Sequence, residues 1–241
     1  HLTQEAEASA PKALKPADSA PIFDNNYEVD LTTVPETMPI TFETEVSDRD
    51  LEYATTLQGL ISYMPAEMRR ILTDYNYDII VGCPVRESGD YSEDADTLLC
   101  NTVRKDVSEN TYVMALHTYS YSGTPTMNFS RGLIHGHING HYNAYATLIH
   151  ETAHALARSV LMDECGMTVE QTDEVVKYFD YNDQEDHEEF ADAVEVYFVP
   201  EVLDHQYYRD AGRELEDREI AMIEELVFGD TCNFLESRTE Q

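Results

Sequence analysis

Basic residues are scarce in this chain: 15 lysines and arginines stand against 48 aspartates and glutamates in 241 residues, a net charge of −33. Such a surface repels nucleic acid and anionic membranes and attracts cationic partners. Long apolar runs are also missing, since none approaches the roughly 18 residues that a membrane-spanning helix needs. We therefore expect neither a nucleic-acid partner nor a membrane, while 42% hydrophobic residues suffice for a folded core.

The four cysteines, Cys83, Cys100, Cys165 and Cys232, show no C-x-x-C spacing. This excludes a zinc knuckle or a redox pair of that type. An even number of cysteines, in a sequence that begins with His1 and not Met, fits two disulfides and a secreted protein. We expect the pairs Cys83–Cys100 and Cys165–Cys232, one of three possible connectivities, with four buried thiols as the alternative.

No internal repeat divides the chain. Residues 1–30 are rich in alanine, proline and acidic residues and have little apolar periodicity. That composition predicts a flexible N-terminal arm or the remnant of a pro-segment. Residues 31–241 are long enough for one domain.

The apolar pattern predicts a domain of the α+β class, with a mixed N-terminal half and a mainly helical C-terminal half. Alternating or β-branched runs predict strands at 77–83, 97–104 and 111–121. Helical spacing and capping residues predict helices at 47–61, 65–72, 142–164, 168–179, 185–199 and 213–228.

Five of the nine histidines lie between residues 135 and 154. The last two belong to His150-Glu151-Thr152-Ala153-His154, an H-E-x-x-H motif inside the helix predicted at 142–164. Residues four apart share a helix face, so both imidazoles can bind one zinc ion while Glu151 lies beside its open position. Apolar neighbours on both sides predict a buried helix, as a ligand helix below an active site requires.

The other three histidines of this segment, His135, His137 and His141, stand among glycines. Gly132, Gly136 and the Asn139-Gly140 pair disfavour a helix, so we expect a loop that borders the cleft. A second metal site built from these histidines is the alternative.

A catalytic zinc ion needs a third protein ligand. Ala157 and Val160 occupy the positions at which HExxHxxGxxH proteases have glycine and the third ligand, which excludes that class. A later helix offers Glu188, with Asp192 one turn on to accept a hydrogen bond from a ligand histidine. Glu189 is the alternative ligand, because adjacent helical residues point about 100° apart and only one can face the metal.

Three features together resemble one protein family: "HETAHA", the "EEFADA" helix whose Glu188 follows His154 by 34 residues, and Tyr181 seven residues before Glu188. Over residues 133–200 the chain resembles the lethal-factor-like zinc metallopeptidases of the gluzincin type, which include the catalytic domain of anthrax lethal factor and the Pro-Pro endopeptidases. Asp192 stands where that family usually has glutamate.

The resemblance implies a zincin-like metallopeptidase domain with one catalytic zinc ion. By that resemblance the zinc ligands are His150, His154 and Glu188. Glu151 is then the general base, and the hydroxyl of Tyr181 faces the scissile carbonyl.

The expected function is that of a secreted, zinc-dependent endopeptidase, which hydrolyses peptide bonds through a zinc-activated water. An extended substrate would add to the sheet edge expected at 111–119. The acidic residues near the motif favour cationic peptides: Asp180, Asp183, Glu185, Asp186 and Glu189. The alternatives are a non-catalytic metal- or partner-binding module on the same fold, and a structural domain with an accidental motif.

Overall fold

The computed structural model of the chain describes residues 40–42, 48–81, 104–106, 111–113, 115–118, 124–140, 143–179, 186–200, 202 and 214–232. The arm predicted at residues 1–30 lies outside these ranges, as do Cys83, Cys100, His141 and Tyr181. The structural statements below concern the described ranges.

Seven α-helices lie in these ranges: α1 (Asp48–Tyr63), α2 (Ala66–Asp74), α3 (Arg131–Ile138), α4 (Ala144–Ala155), α5 (Val169–Val176), α6 (Asp186–Phe198) and α7 (Asp217–Phe228). A π-helical segment, Leu156–Glu164, continues α4, and a 3₁₀ turn, Lys177–Phe179, continues α5. The six helices that the pattern predicts are present, with ends shifted by a few residues. At the start of α4, the side chain of Asn143 accepts the N–H of Ala146 and caps the helix.

Six short strands are described: β1 (Ile40–Phe42), β2 (Asp78–Val81), β3 (Arg104–Asp106), β4 (Thr111–Val113), β5 (Ala115–Thr118) and β6 (Thr126–Phe129). Four of them form a sheet in the order β1-β2-β6-β5. The first three are parallel, whereas β5 runs antiparallel to β6 with Ala115 opposite Phe129 and His117 opposite Met127. All six described strands lie before residue 130, together with α1 and α2, and only helices follow, which agrees with the α+β class.

The single strand predicted at 111–121 is wrong, because the structure divides it into two strands with different partners. Thr111–Val113 pairs antiparallel with Arg104–Asp106 in a separate two-stranded sheet, whereas Ala115–Thr118 pairs with β6. In the sequence, the alternation of apolar and polar residues continues through both strands. Such a pattern does not show which other strand each of them pairs with. Of the strand predicted at 97–104, only Arg104 is described.

The loop predicted around His135 and His137 is also wrong, because both residues belong to helix α3. The hydroxyl of Ser130 accepts the N–H of Leu133 and caps the helix, and apolar residues on one face are buried. Each glycine in a helix costs about 1 kcal/mol relative to alanine, and an N-cap and a buried face offset that cost. The helix ends before Gly140, whose φ of 72° suits glycine.

Helix α4 lies at the centre of the described structure, in contact with α1, α2, α6 and strand β5. Its apolar side chains are fully buried: Ala144, Ala146, Leu148, Ile149, Ala153 and Ala155. The π-helical segment that follows ends at Cys165, whose N–H donates to the carbonyl of Val160. No helix in the described ranges is long and apolar enough to cross a membrane.

A disulfide joins Cys165 to Cys232, as predicted, and fastens the end of the long central helix to the segment that follows α7. Its two residues are 67 positions apart. The bond therefore closes a long loop and reduces the entropy of the unfolded chain. The other expected pair, Cys83–Cys100, lies outside the described residues.

Replacing both residues, Cys165→Ser with Cys232→Ser, should lower the free energy of unfolding by about 4 kcal/mol, the loop-closure value for this separation. Urea unfolding followed by circular dichroism measures the change, with the wild-type protein under the same non-reducing conditions as control. A double variant that unfolds at the wild-type urea concentration would contradict a stabilising role for this bond.

Candidate metal centre

Helix α4 places the two motif histidines one above the other, with their rings edge to face and 4.9 Å between centroids. The Nε2 atoms of His150 and His154 lie 3.2 Å apart. Both rings are mostly buried, with 15% of each side chain exposed. The four-residue spacing therefore aims two nitrogen donors at one point, as the motif predicts.

Glu188, in the first turn of α6, brings its carboxylate to both nitrogen donors. Its Oε2 lies 3.3 Å from Nε2 of His150, and its Oε1 lies 3.5 Å from Nε2 of His154. Ligands at about 2.0–2.1 Å from a tetrahedral zinc ion are themselves separated by about 3.3–3.4 Å. The distance of 3.2 Å between the two nitrogens, and those of 3.3 and 3.5 Å from each nitrogen to one oxygen of Glu188, are each close to this separation.

The alternative third ligand, Glu189, is placed differently from its neighbour. Its side chain is buried, and it belongs to neither of the two groups of potential metal donors in the described structure. Glu188 belongs to the group that contains both motif histidines. The geometry therefore favours Glu188 as the third ligand. Adjacent residues of a helix point about 100° apart, so only one of these two glutamates can face the histidines.

The opposite ring nitrogen of His150, Nδ1, faces two carboxylates of α6. Asp192 Oδ1 lies 3.1 Å from it and Glu195 Oε2 lies 3.3 Å from it. Asp192 is where the sequence predicts a supporting acid, and Glu195 was missed. The signal for Glu195 was its spacing of seven from Glu188, which returns to the same helix face, in an otherwise apolar stretch.

These carboxylates control the charge of the histidines. Burial by itself lowers the pKa of His150, but hydrogen bonds to Asp192, Glu188 and Glu195 outweigh burial and raise that pKa well above 6.5. For His154, burial and the charge of His150 lower the pKa, which keeps this ring neutral. A neutral imidazole is the form that binds a metal ion.

Glu151 lies on α4 between the two histidines and is buried, with 7% of its surface exposed. Burial raises the pKa of Glu151 to about 7, with the charge of His150 opposing the rise and that of Glu188 adding to it. Its carboxylate accepts the backbone N–H of His117, in the outer strand β5. A carboxyl group held in place with a pKa near 7 suits proton transfer at neutral pH.

His117, which the sequence analysis does not single out, contacts His154 from the side of the sheet. The ring of His117 stacks on that of His154, with centroids 6.1 Å apart and planes 19° from parallel. Nε2 of His117 lies 2.9 Å from the hydroxyl of Tyr77, which in turn lies 3.0 Å from Oγ of Ser159. No local spacing signals this arrangement, because its members come from β5, the residue before β2 and the π-helical segment.

Of the other predicted residues, His135 and His137 do not join the centre. His135 is exposed and is contacted by the side chain of Asn139, while Nδ1 of His137 accepts the N–H of Ala144. Neither belongs to a three-donor group within the described ranges. His141 and Tyr181 lie outside those ranges.

Compared with protein-family models, with curated proteins and with solved structures, the chain has no significant match. The chemistry of the centre therefore has to be argued from its own donor atoms and charges.

Replacing Glu188 by alanine should remove stoichiometric zinc, because the two histidines that remain bind the ion weakly. The substitutions His150→Ala and His154→Ala should have the same effect. Glu189→Ala is the matched control, one residue away on the same helix, and should retain one zinc ion per chain. Elemental analysis of dialysed, folded protein gives the metal content. Zinc kept by Glu188→Ala and lost by Glu189→Ala would reverse the assignment.

Proposed function

We propose that this chain is a secreted zinc-dependent endopeptidase with a zincin-like fold, of the lethal-factor-like gluzincin type. The observation that carries the proposal is the cluster formed by His150, His154 and Glu188, with the buried carboxyl group of Glu151 beside it. An accidental H-E-x-x-H sequence has no reason to meet a third donor at zinc-ligand spacing on another helix.

The donor set suits zinc, which prefers imidazole and carboxylate ligands and uses three of them at catalytic sites. His150, His154 and Glu188 would hold the ion. When bound there, zinc lowers the pKa of a coordinated water and polarises the carbonyl of the scissile peptide bond. The other tasks of peptide hydrolysis then belong to side chains of this protein.

Glu151 is placed to handle the proton. It accepts a proton from the attacking water and delivers it to the leaving nitrogen, as general base and then general acid. The N–H of His117 fixes its carboxylate, so the proton acceptor does not have to be reoriented during the reaction. By the family resemblance, Tyr181 donates its hydroxyl to the oxyanion that develops on the carbonyl.

Strand β5 is the best site for an extended substrate. Within the described residues it is the outer strand of the four-stranded sheet, with β6 on its other side. The N–H of His117 reaches Glu151, so the free edge of β5 lies alongside the catalytic carboxyl group. A peptide that adds to this edge is held by main-chain hydrogen bonds next to the metal donors.

Secretion and a cationic substrate complete the proposal. The Cys165–Cys232 disulfide supports secretion, because such bonds persist in oxidising compartments and rarely in the cytosol. The net charge of −33 supports a cationic peptide or protein substrate.

Glu151→Gln should retain zinc and fold but lose peptide cleavage, because an amide cannot accept the proton. Cleavage of a mixed peptide library, with zinc content measured on the same samples, tests this. The wild-type protein should lose cleavage in a chelator and regain it when zinc is added. Zinc-loaded wild-type protein that cleaves no peptide would favour a non-catalytic metal- or partner-binding module instead.

Tyr181→Phe should bind zinc and peptide normally while kcat falls by about 10²-fold, the effect of removing one oxyanion donor. Steady-state kinetics on a peptide from the library separates kcat from KM. Tyr178→Phe is the matched control, a tyrosine before the metal helix with no assigned role, and should keep the wild-type kcat. An unchanged kcat in Tyr181→Phe would remove the oxyanion role.

A further inference from the structure

Three carboxylates of helix α6 face the same histidine of α4. Glu188, Asp192 and Glu195 follow one another at intervals of four and three residues, which keeps them on one side of the helix. Glu188 contacts Nε2 of His150, while Asp192 and Glu195 both contact Nδ1. One ring thus has a metal-donor nitrogen on one side and two acids on the other.

We propose that Glu195 is the principal positioning residue of the metal centre, and that it holds His150 in the orientation and tautomer that bind zinc. The inference rests on the zinc centre of the proposed function. In this arrangement the hydrogen on Nδ1 is shared by two acceptors at 3.1 and 3.3 Å, which leaves the Nε2 lone pair directed at the metal.

Exposure distinguishes the two acids. The side chain of Asp192 is 35% exposed, whereas that of Glu195 is 2% exposed. Water screens the charge of an exposed carboxylate, but a buried one acts through a medium of low dielectric constant. Glu195 therefore acts on the ring with less screening by water than Asp192 does, although it lies 0.2 Å farther from Nδ1 by the difference of the two distances.

The burial of Glu195 needs a compensating partner. Its second oxygen, Oε1, is buried without a hydrogen-bond partner in the described structure. An acid buried in this way is costly unless a positive charge lies near it. His150 is the only group paired with Glu195 in the described ion pairs, so under the proposal the compensation comes from the Nδ1 hydrogen of this ring and from the cation that the ring would bind.

The test is the zinc affinity of purified protein, measured by competition with a chromophoric chelator at fixed pH and without any substrate. Glu195→Gln keeps the shape and an acceptor oxygen but removes the charge. It should weaken zinc binding by about 10- to 100-fold, the usual effect of losing such a partner, and by more than Asp192→Asn. The matched control is Glu219→Gln, another buried glutamate in a helix, which accepts the N–H of Glu216 far from the histidines in sequence. Its zinc affinity should equal that of the wild type.

A merely structural role would give a different result. Glu195→Asp keeps the charge and withdraws it by about one carbon–carbon bond, so its zinc affinity should lie between those of the wild type and Glu195→Gln. In zinc-loaded wild-type protein, the Nδ1 hydrogen of His150 should exchange slowly with solvent by NMR, and faster in Glu195→Asp. These two measurements decide the matter if Glu195→Gln does not fold.

Wild-type zinc affinity in Glu195→Gln, or a larger loss in Asp192→Asn, would overturn the proposal. Two zinc ions per wild-type chain, with one of them lost in Glu195→Gln, would also overturn it, because His150, Asp192 and Glu195 would then form a second cation site. A wild-type protein that binds zinc without cleaving peptides refutes the proposed protease function and leaves this inference standing. One that binds no zinc refutes both.

Discussion

The contact between α4 and α6 is the constraint on which the rest of the site depends. Both helices present fully buried apolar side chains: Leu148, Ile149 and Ala153 on α4, and Phe190, Ala191 and Val194 on α6. Burying a large apolar side chain contributes about 1.5–3 kcal/mol, and the two helices, which are in contact, together bury several. That energy fixes the register in which carboxylates of α6 meet histidines of α4, even though grouping the acids is itself unfavourable.

The same register concentrates negative charge. Glu151, Glu188, Asp192 and Glu195 all act on His150, in a chain that already carries a large negative charge. Like charges at these distances repel strongly where water is excluded. Under the proposed function, a divalent cation offsets this repulsion, so binding of the metal and stability of the fold are coupled. The free energy of unfolding and the metal affinity then both depend on the contacts between the carboxylates of α6 and the histidines of α4.

The sequence predicts those parts of the structure that depend on local spacing. His150 and His154 were found because a four-residue interval on a helix fixes their relation, and Glu188 and Asp192 were found for the same reason. Glu195 was missed because its spacing of seven from Glu188, on a helix of a strongly acidic chain, does not by itself show which histidine the acid faces. His117 and Tyr77 were missed because strand pairing, which brings them to His154, joins segments far apart in the chain.

Two errors in the predicted elements have the same origin. Helix α3 forms because Ser130 caps it and its apolar face is buried, and tertiary packing of that kind outweighs the low helix propensity of two glycines. The strand expected at 111–121 divides because its two pieces pair with β3 and with β6. In both places, the secondary structure is decided by contacts with residues outside the segment itself.

His117 shows how strand pairing and the metal centre depend on each other. One residue pairs with Met127 across the sheet, donates its N–H to Glu151 and stacks its ring on His154. Burial and the charge of Arg158 lower the pKa of His117 to about 4, so the stacked ring is neutral and does not repel a cation bound beside it. A shift of β5 would therefore displace Glu151, His154 and the edge proposed for the substrate together. Because Glu151 and His154 both contact this strand, a peptide that pairs with β5 under the proposed function would be aligned with the metal and the base by the same contacts that hold these two residues in place.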